Sequence, residues 1–180
     1  MKLNKAELKE FLDEKVELYN RPAFIESDPI SIPHQFTKKQ DIEIAGFLAA
    51  TIAWGNRKMI LRNANRMIEL LDGSPYDFIV NHREKDLARM EGFVHRTFNS
   101  VDLIYFLKAL QNIYRNKGGL ENIFNTHKTE ESFQSTIHEF YGIFFELSHE
   151  KRTERHVSDP FKGSASKKLN MFLRIIKVAC

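Results

Sequence analysis

Cysteine is almost absent: Cys180, the last of 180 residues, is the only one. No internal disulfide can form and no thiolate cluster can gather a zinc ion, which favours the cytoplasm as the compartment. Long apolar runs are lacking as well. No stretch approaches the ~20 residues needed to span a bilayer. Met1-Lys2-Leu3-Asn4-Lys5 leads into alternating charge instead of the apolar core of a secretory signal. Membrane insertion is thereby excluded. The chain also lacks a Gly-x-x-x-x-Gly-Lys phosphate loop and a dinucleotide fingerprint, so neither nucleotide hydrolysis nor a redox cofactor is expected. Its seven histidines include no His-x-x-x-His pair and have no carboxylates at ligand spacing. No metal site is expected.

Proline is scarce, with 5 residues, whereas phenylalanine reaches 15 and hydrophobic residues 42%. A chain that apolar folds, and 180 residues suffice for a single domain, or at most two small helical lobes packed together. Helical periodicity dominates. Ala6 to Tyr19 reads as an opening helix, and a proline-punctuated stretch over 21–36 (Pro22, Pro29, Pro33) cannot be regular helix. Thr37 and Gln40 carry a capping-box signature ahead of a strongly apolar helix through about Ala53. In it Ala45, Gly46, Ala49, Ala50 and Ala53 would let another backbone approach closely. After a break at Trp54-Gly55-Asn56, Ile60, Ala64, Met67, Ile68 and Leu71 form a single apolar stripe. Ser74-Pro75 opens a short helix, with Ser as the cap, and Met90 to Asn99 is a connector. Ser100 opens a long helix with Leu103, Phe106, Leu107, Leu110, Ile113 and Tyr114 on one face, ended by Gly118-Gly119. A further stripe runs Phe133, Ile137, Phe140, Tyr141, Phe144, Ser148. No run alternates with β-branched enrichment and no fixed-period repeat is present. The expected fold is all-α.

The net charge of +3 is unevenly spread. From His149 to Cys180, eight basic residues (Lys151, Arg152, Arg155, Lys162, Lys167, Lys168, Arg174, Lys177) face three acidic ones (Glu150, Glu154, Asp159). This is either a patch that attracts polyanions or a solvated basic face. Within it, Asp159 to Lys168 reads as a loop opening a helix, with Ser164 or Ser166 able to cap it. Free backbone N–H groups and the positive end of the helix dipole would suit a phosphate there. At about 100° per residue, Lys167, Asn170, Arg174 and Lys177 share one arc, the expected wet face. Lys168 falls instead between Phe172 and the pair Met171 and Ile175. Either its amine is desolvated, with a lowered pKa that suits a nucleophile, or its stem merely snorkels to water.

Four ordered strings run along nearly the whole chain: Asp28-Pro-Ile-Ser-Ile-Pro-His34, Glu43-Ile-Ala-Gly-Phe-Leu-Ala-Ala-Thr-Ile-Ala-Trp-Gly-Asn-Arg57, Gly92-Phe-Val-His-Arg-Thr-Phe98 and Gly163-Ser-Ala-Ser-Lys-Lys-Leu-Asn-Met-Phe-Leu-Arg174. Together they resemble an uncharacterised bacterial family of hypothetical proteins related to helix-hairpin-helix DNA glycosylases. The resemblance implies a helical bundle of that type and DNA as the partner. It implies that Lys168 attacks the sugar C1′ and forms a Schiff base once a damaged base is extruded. It further implies that Gly163 to Ser166, flanked by Lys162 and Lys167, grips the DNA backbone. The turn of Trp54, Gly55, Asn56 and Arg57 would enter the duplex. Trp54 also reads as a core aromatic at a helix end, and His34 and His95 as structural or DNA-facing.

The resembled pattern continues past Cys180 into a segment with a Pro-Leu-Asp-Thr-His type motif, whose aspartate assists the chemistry. The expectation is therefore a bundle incomplete at its C-terminus, in which catalysis is doubtful. The last helix, apolar at Leu169, Met171, Phe172, Leu173, Ile175, Ile176 and Val178, should need cover. A second copy of the chain could supply it. Three readings stand: a glycosylase-like enzyme acting through Lys168, a non-catalytic DNA-binding helical domain, and a protein-interaction module built on the last helix.

Overall fold

The computed structural model describes residues 4–126 and 132–179, without the side chains of 22 and 177–179. Cys180, and the side chains of Lys177 and Val178 expected on the last helix, lie outside the described residues. The fold is mostly helical. Its helices are α1 (Lys5–Tyr19), α2 (Pro22–Ile25), α3 (Lys39–Ile52), α4 (Arg57–Leu70), α5 (Pro75–Asn81), α6 (Glu84–Leu87), α7 (Ser100–Asn116), α8 (Leu120–Phe124), α9 (Gln134–Phe144) and α10 (Lys167–Ala179). Short 3₁₀ turns punctuate 29–35, 88–90, 151–156 and 160–162. The expected connector before α7 contains a minimal antiparallel hairpin, β1 (Val94–His95) and β2 (Phe98–Asn99), with His95 opposite Phe98.

The core is organised around α3. Every residue from Asp41 to Ile52 is buried, as expected of a helix apolar on all sides. Its small residues admit α10 closely: a Cβ built on Gly46 would lie 3.3 Å from Ile175 Cγ2 and 3.7 Å from the Phe172 ring. Phe47 stacks on Phe106 of α7 and meets Phe140, Phe144 and Phe172 edge-on. These contacts join α7, α9 and α10 to α3 through one aromatic cluster. The stripe assigned to the long helix is buried at Leu103, Phe106, Leu107, Leu110 and Ile113. The Tyr114 hydroxyl, next on that stripe, donates to the Glu43 carboxylate at 2.7 Å. Burial pushes the pKa of both groups up. By contrast α1 buries nothing and leaves Leu8, Phe11, Leu12 and Val16 exposed.

Helix ends are where structure and sequence pattern part. The Thr37/Gln40 capping box does not form, because α3 starts one residue later, behind Lys38, with no side-chain cap. The Asp41 carboxylate in its first turn instead accepts the Tyr76 N–H at 2.7 Å. That bond supplies the cap that Ser74, which makes none, was expected to give α5. The cap of α7 is Asn99, whose Oδ1 accepts from Val101 and Asp102 while Asp102 Oδ2 accepts the Asn99 N–H. Helix α9 stops at Phe144, short of Ser148, where the Tyr105 hydroxyl takes the Phe144 carbonyl at 2.7 Å.

Helix α10 buries Leu169, Phe172 and Ile175 and half-buries Leu173 and Ile176, leaving Met171 37% exposed. The apolar surface that predicted a second copy is therefore largely covered within the chain. No described helix is long and apolar enough to cross a membrane.

Candidate functional site

Trp54 leaves α3 just past its last turn, its N–H donating to Ile52 O at 2.7 Å. Gly55 follows at φ +106°, in the left-handed region, and Asn56 caps α4 by accepting the Met59 N–H at 3.3 Å. On the other side, the 3₁₀ turn at Pro160–Lys162 ends in Gly163 at φ +78°. The chain then enters α10 through Ser164, Ala165 and Ser166. Because α10 lies along α3, its first turn is carried to the end of that helix. Lys168 Nζ sits 3.8 Å from the centroid of the Trp54 ring. It has no hydrogen bond or ion pair among the described residues. Burial lowers its pKa from 10.5 to about 8. The ring face attracts the ammonium form and works in the opposite direction.

Beneath this pair lies a polar cluster drawn from three segments. The Asp102 carboxylate, fully buried, accepts from the Asn99 N–H, from Arg152 Nη1 at 2.8 Å and from Thr153 Oγ1 at 2.9 Å. Arg152 also reaches Asn99 Oδ1 and Thr97 O. His156 stacks on Trp54 and meets Phe98 edge-on. Its Nε2 is 3.3 Å from Asp102 Oδ2 but not in hydrogen-bonding geometry, and it has no other partner. Burial therefore outweighs the nearby carboxylate and pushes the His156 pKa down to about 4. His95, also buried, meets Trp54 edge-on. Its Nδ1 is 2.8 Å from Asn63 Nδ2 and its Nε2 is 3.3 Å from the Trp54 carbonyl. An amide NH₂ only donates and a carbonyl only accepts, which assigns a neutral ring with its proton on Nε2. Burial, reinforced by Arg96 and Lys168, lowers its pKa as well. Both imidazoles are thus neutral near pH 7, and the Asp102 charge is matched by Arg152. Lys168 finds no free anion to hold it protonated.

The residues singled out in the sequence fare differently. Of the four turn residues, only Trp54 meets Lys168. Asn56 is engaged as a helix cap. Arg57 lies 4.0 Å from Asp28 and over the Phe24 ring. Gly55 lies against Arg96, whose Nη1 would be 2.5 Å from a Cβ placed there. Lys162 bonds the Tyr141 hydroxyl at 3.1 Å and covers its ring, while Lys167 and Gly163 are exposed. Neither expected serine caps α10. Ser164 Oγ accepts the Ser166 N–H, and buried Ser166 donates to Ser158 O at φ +44°. The serines brace the loop, because the left-handed Ser166 turns its hydroxyl away from the helix. A cleft of about 360 Å³ lies near the turn, lined by Gly55, Arg57, Met171, Arg174 and Ile175 among others, but neither Trp54 nor Lys168 lines it. Among the described residues no three His, Cys, Asp or Glu side chains come together as a metal site.

Sequence reasoning missed His156, Asp102, Arg152 and Arg96. It also missed an exposed basic stripe on α4, Lys58, Arg62 and Arg66. The stripe had a local signal in its i, i+4, i+8 spacing, Asp102 had one in the Asn99-x-x-Asp102 capping-box spacing, and Arg152 was visible only as part of the basic segment.

No curated protein and no solved structure matches the chain. The resemblance to helix-hairpin-helix glycosylases must be corrected, because nothing links the chain to them. The expectations of a glycosylase-type bundle and of a missing aspartate-bearing segment lose their basis with it. The four strings on which it rested all fall within the residues matched by a different family, so they mark membership there and carry no chemistry over from elsewhere. The match covers residues 28–176, and the chain belongs to the family of proteins of unknown function DUF2400.

Proposed function

We propose that the protein binds DNA and that Lys168 is an amine nucleophile toward the aldehyde of an abasic nucleotide. The observation that carries this reading is the Lys168 amine itself, seated on Trp54 without an anionic partner and with its pKa drawn down to about 8. Aldehydes react with the free amine, and a lysine desolvated against apolar groups is the usual way to supply one near neutral pH. The DNA half of the reading is supported by the basic excess after His149 and by exposed Lys167 beside the site.

In the proposed reaction the amine adds to C1′ of the ring-opened sugar. The carbonyl oxygen leaves as water with both amine hydrogens, giving an imine that takes a proton from solvent. A solvent base then removes a C2′ proton. The released electron pair expels the 3′-phosphate as the C3′–O bond breaks, and hydrolysis of the imine returns Lys168.

The test is borohydride reduction of a mixture of the protein with a duplex carrying one abasic site. A covalent adduct is expected that persists in Lys167→Ala and disappears in Lys168→Ala. Absence of any adduct with the wild type sinks the reading. The cation–π contact favours a second one, in which Lys168 stays an ammonium and touches DNA by charge alone. It predicts salt-dependent binding with no adduct, so the same mixture separates the two.

A further inference from the structure

Lys58, Arg62 and Arg66 are exposed along one face of α4, and none has a hydrogen bond or ion pair among the described residues. Four residues of helix rise ~6 Å, so the three charges span ~12 Å. One strand of duplex DNA presents a phosphate every ~3.4 Å of axis, which places three or four within that length. Arg62 and Arg66 also line a groove of about 740 Å³ between α4 and the segment Gly92, Phe93 and Val94, in which Glu69 is the acidic lining residue.

The stripe is tied to the amine site by hydrogen bonds. Asn63, next to Arg62, holds His95 Nδ1, and His95 Nε2 holds the Trp54 carbonyl. At the hairpin tip Arg96 adopts φ +56° and lays its guanidinium over Gly55, which leaves it room only by lacking a Cβ. Arg96 likewise has no hydrogen bond or ion pair among the described residues. Four cations without a hydrogen bond or ion pair among the described residues thus run from beside Trp54 along α4, carried by the hairpin and the helix. That helix is remote in sequence from the basic segment after His149.

We infer that Lys58, Arg62, Arg66 and Arg96 form a backbone-tracking contact for duplex DNA, and that this face carries much of the salt dependence of binding. The inference rests on the DNA-binding reading above. It is tested by anisotropy of a labelled abasic-site duplex from ~50 to ~300 mM salt, comparing the wild type with the triple variant K58Q/R62Q/R66Q. Each lost phosphate contact removes about 0.9 from the slope of log affinity against log salt. A slope shallower by ~2 to ~3 and an affinity at least ~10-fold weaker at the lowest salt are therefore expected. The triple variant K5Q/K9Q/K85Q, with the same change in net charge, should behave as wild type. Unchanged slope and affinity in the first variant, or an equal loss in the second, overturns the inference, as does a wild type that binds no duplex. Reductive labelling of Lys168 with formaldehyde needs no DNA, so it reports the amine separately and should be equal in all three proteins.

Discussion

Raising the pH should switch on the reactivity of Lys168 well before that of a lysine in water. With a pKa of about 8, roughly a quarter of the Lys168 amines are neutral at pH 7.5, against about one in a thousand for a group at ~10.4. The free-amine fraction is thus about 200-fold larger at that pH, which sets the upper bound of the rate advantage toward a small aldehyde, since a less basic amine is also a weaker nucleophile. Brief labelling with formaldehyde and cyanoborohydride between pH 6 and 10, read by peptide mass spectrometry, should give Lys168 a midpoint near 8. A peptide of the same sequence free in solution should lag by more than two pH units. Replacing Trp54 by Ala sets two effects against each other. Losing the cation–π contact, about 0.5–2 kcal/mol, lowers the midpoint by at most about 1.5 pH units. Admitting water to the amine raises it toward 10.5, the larger change, since burial is the cause of the whole fall to about 8. Trp54→Ala should therefore move the midpoint up and slow labelling at pH 7.5. A folded wild type that labels like the peptide, or a Trp54→Ala midpoint that stays at 8 or drops, refutes the reasoning.

His156 should make stability fall with acid. Its pKa is about 4 folded and near 6.5 unfolded, so between those values the unfolded chain takes up a proton that the native state refuses. Stability is lost as pH drops through that window, on the order of 3 kcal/mol in all. Urea unfolding at pH 7, 5 and 4 should show the loss, and His156→Asn should reduce it, leaving what is due to His82 and His95, whose pKa values are also lowered, and near pH 4 to Glu154, held down to about 2 by its hydrogen bonds. A wild-type stability independent of pH across this range would contradict the assignment. Asp102→Asn should cost about 2–3 kcal/mol, less than for a fully buried pair, because the Arg152 side chain is 28% exposed. A shift in urea midpoint worth under about 1 kcal/mol would show that Arg152 finds water instead.

Some of the site was legible and some could not have been. The apolar setting of Lys168 follows from its place among Phe172, Met171 and Ile175, but the surface that its amine meets is Trp54. The spacing of residues along α10 holds no information about the end of α3. Spacing shows Asp102 only as the far half of an Asn99-x-x-Asp102 capping box, and His156 carries no pattern; their meeting is invisible in sequence, since a helix N-terminus and a 3₁₀ turn from distant parts of the chain come together only after packing. The α4 stripe was readable at helical spacing. It is hidden when charge is summed by segment, because a face is a property of the folded helix.

The amino-acid order alone determined that the chain is helical, where α1, α3, α4, α7 and α10 run, and that the stripes of α4 and α7 enter the core, since these depend on periodicity within a single helix, whereas Phe133 at the head of the next stripe is exposed. Tertiary structure decided how α5 is capped and where α9 ends, through Asp41 and Tyr105 reaching from other helices. It also decided that the half-buried Lys168 amine lies on the indole of Trp54. Both outcomes depend on α10, α7 and α5 gathering around the small and apolar residues of α3, and only packing brings such separated groups within bonding distance.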